Sequence, residues 1–446
     1  MLIGLIVIYL LIGVFLSFIG KGKFVVPYIL FLNMYSAWLT DFVVPLEPGD
    51  ESLFDGISKY YTYYCFLLFF LLRRKQVTDY SLLYALGGTF LYLITIYTLR
   101  GLGPVVGLKF AVSVFGSVLL LFVLLYLRPE KRQIRDLVKW NLIIQLVIGG
   151  FQFFGMMHFH MNIGETFVGT SLVTGSFTRN NFFAEVISLL LILQCVFDYK
   201  DFGKLNRTSK IFIIFVLAEV FVTGVRTALL ADIIVLVLLF YFFSKKHSAS
   251  RVKYLLGVIV LGLLLFSVYK TANESVFIQD NQAGNPLERQ LNGVRELSDK
   301  DNMEMSTIVL TFIMWEYFIQ SPIIGPGLFY ASPMGYGGII AQDTANSTDA
   351  TILFYMCETG LIGVICFFII YRLVLRRYNH YKGAYIAFFY IMIISITDAG
   401  FMGFAYMIYL YLVLYYENYN DYLKQLSIRS SSPDVYKKRS LSIPRQ

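Results

Sequence analysis

The sequence predicts an all-α fold, a polytopic integral membrane bundle of about 12–13 transmembrane helices with one long extracytoplasmic loop containing short amphipathic helices. Three observations carry that prediction. Of the 446 residues 57% are hydrophobic and only 15% charged, with a mean hydropathy of +0.65, whereas a soluble domain carries roughly a quarter charged residues. The apolar residues gather in runs that approach the length of a membrane crossing. Every second connection between those runs is rich in Lys and Arg. A single water-soluble core cannot hide this much apolar surface, so lipid is the expected solvent for much of it.

The runs fall at about 1–19, 24–46, 60–72, 80–99, 108–127, 137–157, 182–198, 211–224, 227–243, 254–270, 351–371, 384–399 and 401–416, several of them shorter than the roughly 20 residues of a full span. Met1–Gly20 has no basic n-region and no small-residue cleavage site, and Lys21 and Lys23 follow it. That pattern reads as a first anchor rather than a removed signal peptide. Tyr, of which there are 33, suits the interfacial aromatic belt at span ends.

The basic connections hold Lys21 and Lys23; Arg73, Arg74 and Lys75; Arg128, Lys131, Arg132 and Arg135; and Lys200, Lys204, Arg207 and Lys210. The set continues with Lys245, Lys246, Arg251 and Lys253, then Arg372, Arg376, Arg377 and Lys382, and ends in the tail Lys437, Lys438 and Arg439. The positive-inside rule puts all of them in the cytoplasm, with the C-terminus inside. The net charge of +8 is thereby read as topology, and no nucleic-acid partner is expected.

The same rule settles two ambiguous stretches. Residues 211–243 have basic flanks on both sides, so they are read as a hairpin turning at Thr223-Gly224-Val225-Arg226. Residues 306–319 are apolar but short, and a crossing there would move the basic cluster 372–382 outside. They are read as an amphipathic or interfacial helix inside the outer loop. The chain then divides into transmembrane helices 1–10 over residues 1–270, the loop 271–350, helices 11–13 over 351–416, and a cytoplasmic basic tail 417–446 expected to be disordered.

The outer side is distinctive. The first outer loop, 47–59, carries Glu47, Asp50, Glu51 and Asp55, and the loop 158–181 is polar and Gly-rich. The loop 271–350 has ten acidic residues against Arg289, Arg295 and Lys300. A loop that long on a polytopic protein is often functional. The cysteines Cys65, Cys195, Cys357 and Cys366 fall inside the expected spans, with no CxxC metal pattern.

Four outer-face sites stand out. In Gly175-Ser176-Phe177-Thr178-Arg179-Asn180-Asn181, Arg179 opposes the positive-inside bias, and Asn180 or Asn181 can cap a helix; the Arg either snorkels to head groups or binds a ligand. At the hairpin tip, Thr223 and Arg226 sit at the mouth of two helices, where a planar guanidinium matches phosphate or diphosphate bidentately. Arg289 and Arg295 either pair with Glu288 and Glu296 on a solvated helix or bind substrate. Asn346-Ser347-Thr348-Asp349 either caps the next span or supplies a general base. His158 and His160 lack a third ligand nearby in sequence, and Asp41, Glu185, Glu219, Asp232 and Asp398 mark either polar paths or interhelical hydrogen bonds. No P-loop, GxSxG or HExxH is present.

The order of these sites resembles the O-antigen polymerase (Wzy-type) and O-antigen ligase superfamily of bacterial membrane glycosyltransferases. GSFTRNNFFA (Gly175–Ala184) is similar to the family's Gly-x-Phe…Asn-x-x-Ala stretch, and TGVRTALLA (Thr223–Ala231) to its Thr-Gly-Ser-Arg segment, with Val225 for Ser. SPIIGPGLF (Ser321–Phe329) resembles its Pro-x-x-Gly-x-Gly turn, and ETGLIG (Glu358–Gly363) its Glu-x-Gly-x-x-Gly helix. The ligase pattern has a His-Asn pair where this chain has Asp349 and Ala350. The family's Arg before the aromatic of the loop helix is replaced by Met305-Ser306-Thr307, which leaves Arg295 or Arg289 to substitute from upstream.

The resemblance implies a metal-independent glycosyltransferase, without cofactor, in the bacterial cytoplasmic membrane. Its substrate would be a polyprenyl-diphosphate-linked oligosaccharide, and its active site would face outward. Arg226, Asp349 and Arg179 are the implied catalytic residues, with Arg295, Arg289, Asn180, Asn181 and Thr223 binding substrate. Membrane lipids, a chain-length regulator and a flippase of the same pathway are the implied partners. The alternatives are a ligase that moves finished polymer to another acceptor and a lipid-linked oligosaccharide flippase. A transporter is expected to show paired repeats and midplane charges instead of one dominant outer loop.

Overall fold

The computed structural model describes residues 2–19, 24–46, 51–72, 80–157, 173–177, 180–223, 225–243, 315, 318–327, 351–376, 382–395 and 404–430. Among them the chain forms fourteen helices and no strand. They are α1 (Leu2–Ile19), α2 (Val25–Met34), α3 (Ser36–Val43), α4 (Glu51–Leu72), α5 (Tyr80–Leu99), α6 (Pro104–Phe115) and α7 (Val118–Leu127). The second half holds α8 (Lys131–Phe153), α9 (Asn180–Phe202), α10 (Arg207–Thr223), α11 (Arg226–Phe243), α12 (Thr351–Arg376), α13 (Lys382–Ile394) and α14 (Phe404–Ser430).

The stretches Leu2–Ile19, Ser81–Leu99, Asn180–Phe202 and Tyr355–Leu375 are long and apolar enough to cross a membrane, and the bent pair α6–α7 makes a fifth. Burial sorts the helices by place. α9 is buried on every side from Phe183 to Asp198 and packs against α8, α10, α11, α13 and α14, as an all-round apolar helix must. α1 lies at the edge and exposes Ile3, Leu11, Phe15 and Phe18, apolar surface that only lipid solvates without cost.

Polar contacts group the helix ends. At one end Lys131 and Arg135, opening α8, pair with Asp201 at the end of α9 at 2.5 and 3.0 Å. Tyr416 of α14 donates to the same carboxylate at 2.5 Å. Glu417 accepts from the main-chain N–H groups of Gly383 and Ala384 at 3.2 and 2.8 Å, capping α13 from a neighbouring helix. Lys382 reaches the carbonyl of Phe242 at 3.3 Å. Four connections that charge alone assigns to one side therefore meet at one end of the bundle, here termed the basic end.

The helices depart from the apolar runs at four places. The run 24–46 is two helices broken at Tyr35, where the Ser36 hydroxyl bonds back to the Leu32 carbonyl, a bond that bends helices. The run 108–127 begins earlier, with Pro104 at the first helical turn, and bends by 60° at Gly116-Ser117. The Tyr63 hydroxyl occupies the space of a Gly116 Cβ, which would lie 2.2 Å away. α4 begins at Glu51, inside the expected first outer loop, because acidic residues favour a helix N-terminus. α14 continues to Ser430, past the expected end of order at Tyr416. No Gly or Pro interrupts 417–430, and hydropathy reports where a helix leaves lipid, not where it ends.

The run 254–270 and the greater part of the loop 271–350 lie outside the described residues. Within the loop, Trp315 and 318–320 are helical, where the interfacial helix is expected. The break between Thr223 and Arg226 falls at the expected hairpin tip.

Candidate functional site at the end opposite the basic cluster

A tight turn begins the site. Residues 173–177 approach α9 with Gly175 at φ +59, where a Cβ would lie 2.2 Å from the Phe183 ring. No strand or helix partner satisfies this backbone, so two glutamines of α8 replace one. Gln152 accepts from the N–H groups of Thr174 and Gly175 at 2.9 and 2.6 Å and donates to the Gly175 carbonyl at 2.7 Å. Gln145 accepts from the Ser176 N–H at 3.0 Å and donates to its hydroxyl at 2.5 Å. That hydroxyl donates to the Met34 carbonyl at the end of α2.

The turn delivers Asn180 to the start of α9. Its Oδ1 accepts from the Asn181 N–H at 3.0 Å, and its Nδ2 donates to the Thr223 carbonyl at 3.0 Å. The first expected motif is thus fastened to the second. The Thr223 hydroxyl is buried and donates to Val220 O at 2.7 Å, so Thr223 enters this tie through its main chain. Arg226 is the first residue of α11; its side chain, like Arg179, Arg289, Arg295 and Asp349, lies outside the described residues, as do His158, His160 and Asp398. The tie fastens the N-terminus of α9 to the end of α10, three residues before α11 begins. The positive dipole end of a helix favours an anion, and α9 and α11 both begin near this tie.

A second assembly joins the other two motifs. α12 breaks at Gly360, whose φ and ψ are 65 and −170, so the helical hydrogen bonds around it fail. The carbonyls of Cys357, Glu358 and Thr359 and the N–H groups of Leu361 and Ile362 find partners outside the helix. The Gly327 N–H donates to Cys357 O at 3.1 Å, and the N–H groups of Leu361 and Ile362 donate to Pro322 O and Ile323 O at 2.9 and 3.2 Å. The Tyr92 hydroxyl donates to Thr359 O at 2.7 Å. Arg100 Nη1 donates to Glu358 O at 2.8 Å, and its Nη2 donates to Ile324 O and Gly325 O at 2.5 and 2.7 Å. The buried Glu358 carboxylate accepts from the Tyr97 hydroxyl at 2.5 Å. A Cβ on Gly360 would lie 2.3 Å from Ile323 O, and one on Gly325 2.3 Å from Cys357 O. The SPIIGPG turn and the ETGLIG helix are two halves of one joint.

A family model described as O-antigen ligase matches residues 211–368. Over those residues the chain is similar to the O-antigen polymerase and ligase superfamily. The matched segment contains the hairpin tip and both halves of the joint; the Gly175–Ala184 motif precedes it. No curated protein matches the chain.

The sequence reading missed Arg100, Tyr97, Tyr92, Gln145 and Gln152 around the matched segment. Arg100 did leave a signal, a cation beside Gly101 and Gly103 in a connection on the non-basic side. Two of the intramembrane acids prove to be structural. Asp41 accepts from the Leu46 N–H at 2.9 Å, and Asp232 of α11 accepts from Ser188 of α9 at 2.8 Å. Among the described residues no group of three His, Cys, Asp or Glu is placed to hold a metal ion.

Proposed function

We propose that this protein polymerises polyprenyl-diphosphate-linked oligosaccharide repeat units into a cell-surface polysaccharide at the outer face of the bacterial cytoplasmic membrane. Its apolar helices and its similarity to an O-antigen ligase family support the coarser statement, a membrane enzyme of polysaccharide assembly acting on lipid-linked oligosaccharide. The observation that carries the finer reading is the Asn180–Thr223 hydrogen bond. It fastens the start of α9 to the end of α10, three residues before α11 begins, and Arg179 and Arg226 stand at those two helix starts.

In this reading Arg226 and Arg179, with the two helix dipoles, neutralise the diphosphate as the sugar–oxygen bond to it breaks. Asp349 takes the proton from the acceptor hydroxyl, whose oxygen forms the new glycosidic bond to the same carbon. The diphosphate departs with the bonding pair on its polyprenyl carrier. Arg289 and Arg295 bind the sugars from the long outer loop, and Asn181 lines the α9 threshold. Closure of that loop excludes water, which would otherwise hydrolyse the donor. A flippase supplies the repeat units from inside, and a chain-length regulator sets when polymer leaves.

The similarity of residues 211–368 to an O-antigen ligase family favours a ligase as the second reading; Asp349-Ala350 in place of His-Asn favours the polymerase. Deleting the gene tests both against transport. Single repeat units accumulating outside support polymerisation. Long unattached polymer supports ligation, and units trapped inside support a flippase.

A further inference from the structure

We infer that Arg100 is a positioning residue that latches the returning stem of the outer loop, residues 321–327, into the break in α12. This deepens and rests on the polymerase reading, in which that loop covers the sugars and Asp349 is the base. The segment 328–350 leaves from the joint at Gly327 and re-enters it through the first helical turns of α12, up to Cys357. The joint therefore fixes both feet of the segment that carries Asp349. It also fixes the direction of the half-helix 351–359, because the backbone turns freely at Gly360 unless neighbours hold it.

Three elements meet there, and Arg100 is the member that bonds the other two at once. One guanidinium nitrogen holds Glu358 of α12, and the other holds Ile324 and Gly325 of the stem. The Tyr97 ring, 5.6 Å from the guanidinium carbon, supports it from its own helix. Gly327 clears its path, since a Cβ there would lie 2.2 Å from Nη1. A lysine has neither the fork nor the reach to divide its bonds between two elements. The partners of the guanidinium are main-chain carbonyls, so its task is geometric. It fixes backbone and leaves the diphosphate to other arginines.

The test uses the full-length protein in lipid nanodiscs, with lipid-linked repeat units extracted from a strain lacking this gene as the probe. Arg100→Ala is expected to speed amide exchange at Gly327, Leu361 and Ile362 by about tenfold or more, while α9 is unchanged. The transfer rate is expected to fall about tenfold with probe affinity held within about twofold, and added guanidinium ion to restore part of it. Should Arg100→Ala not fold, Arg100→Lys and Tyr92→Phe, each removing part of the joint, are expected to shift the same amides by less. Unchanged exchange overturns the latch. Faster exchange with wild-type transfer overturns the positioning role, as does a loss of affinity equal to the loss of rate. A wild-type protein inactive on the probe, with exchange still responding to Arg100→Ala, would defeat the polymerase reading and leave the latch standing.

Discussion

Arg100 and Glu358, 258 positions apart, are joined by a 2.8 Å hydrogen bond from the guanidinium to a main-chain carbonyl. The bond is one of a set from other segments to the backbone of α12 around its break at Gly360. Unsatisfied backbone is costly in water-free surroundings, so a helix can break inside a membrane bundle only where neighbours make the missing bonds. The SPIIGPG turn, Tyr92 and Arg100 are those neighbours here, and the joint cannot form without all three segments.

Alanine at Gly360 or Gly325 is therefore expected to destabilise the protein sharply. Positive φ alone costs about 1–3 kcal/mol for a residue with a side chain, and each new methyl would also strike a main-chain oxygen at 2.3 Å. Thermal unfolding followed by size-exclusion chromatography in detergent checks this. Gly4→Ala, where a Cβ meets nothing within 4 Å, is expected to match the wild type.

Gln152 holds three main-chain groups of the turn before α9. Gln152→Leu strands them in a buried site at about 1–3 kcal/mol for each unsatisfied group. The expected result is a lower melting temperature and a fall in polymer length, since the turn sets where α9 begins. Polysaccharide gels from complemented cells read the second effect.

Asn180→Ala removes both the cap and the tie to Thr223. Asn180→Asp keeps an acceptor for the Asn181 N–H but sets a carboxylate against the Thr223 carbonyl. Both variants are expected to lower transfer by about tenfold or more, the factor a lost hydrogen bond of about 1.4 kcal/mol gives. Asp is expected to be the worse of the two. A rate measured per folded molecule separates this from loss of protein.

Glu417→Ala uncaps α13 at the basic end, at a cost of about 1 kcal/mol. Because it lies at the far end from the proposed chemistry, its melting temperature is expected to drop while its transfer rate per folded molecule stays at the wild-type value. Thermal shift and transfer assays on one preparation decide it.

Much of this was readable in the chain, for physical reasons. Lipid demands apolar side chains, so hydropathy located α1, α5, α9 and α12. Lys and Arg gather on one side of a membrane, so they mark the end where Lys131, Arg135 and Lys382 lie. Gly224 between basic-flanked runs gave the break that separates α10 from α11. The joint was not readable, although both of its motifs were. Gly325 and Gly360 need each other across 35 positions, and spacing does not encode that contact. Arg100 is a cation in a short connection, and its acceptors lie on two segments distant in sequence. The extension of α14 to Ser430 was hidden because helix propensity, to which hydropathy is blind, carries the helix past the apolar run.

The central claim is transfer from a lipid diphosphate by the residues at the α9 and α11 thresholds, and reconstitution tests it most directly. Wild type, Arg226→Lys and Asp349→Asn proteins are placed in nanodiscs with lipid-linked repeat units, and polymer and freed polyprenyl diphosphate are counted together. The account expects a ladder of polymer with one polyprenyl diphosphate released per bond in the wild type, and a loss of at least about a hundredfold in each variant. Wild-type chain lengths in Arg226→Lys, or a wild type that leaves the repeat units unjoined, would contradict it.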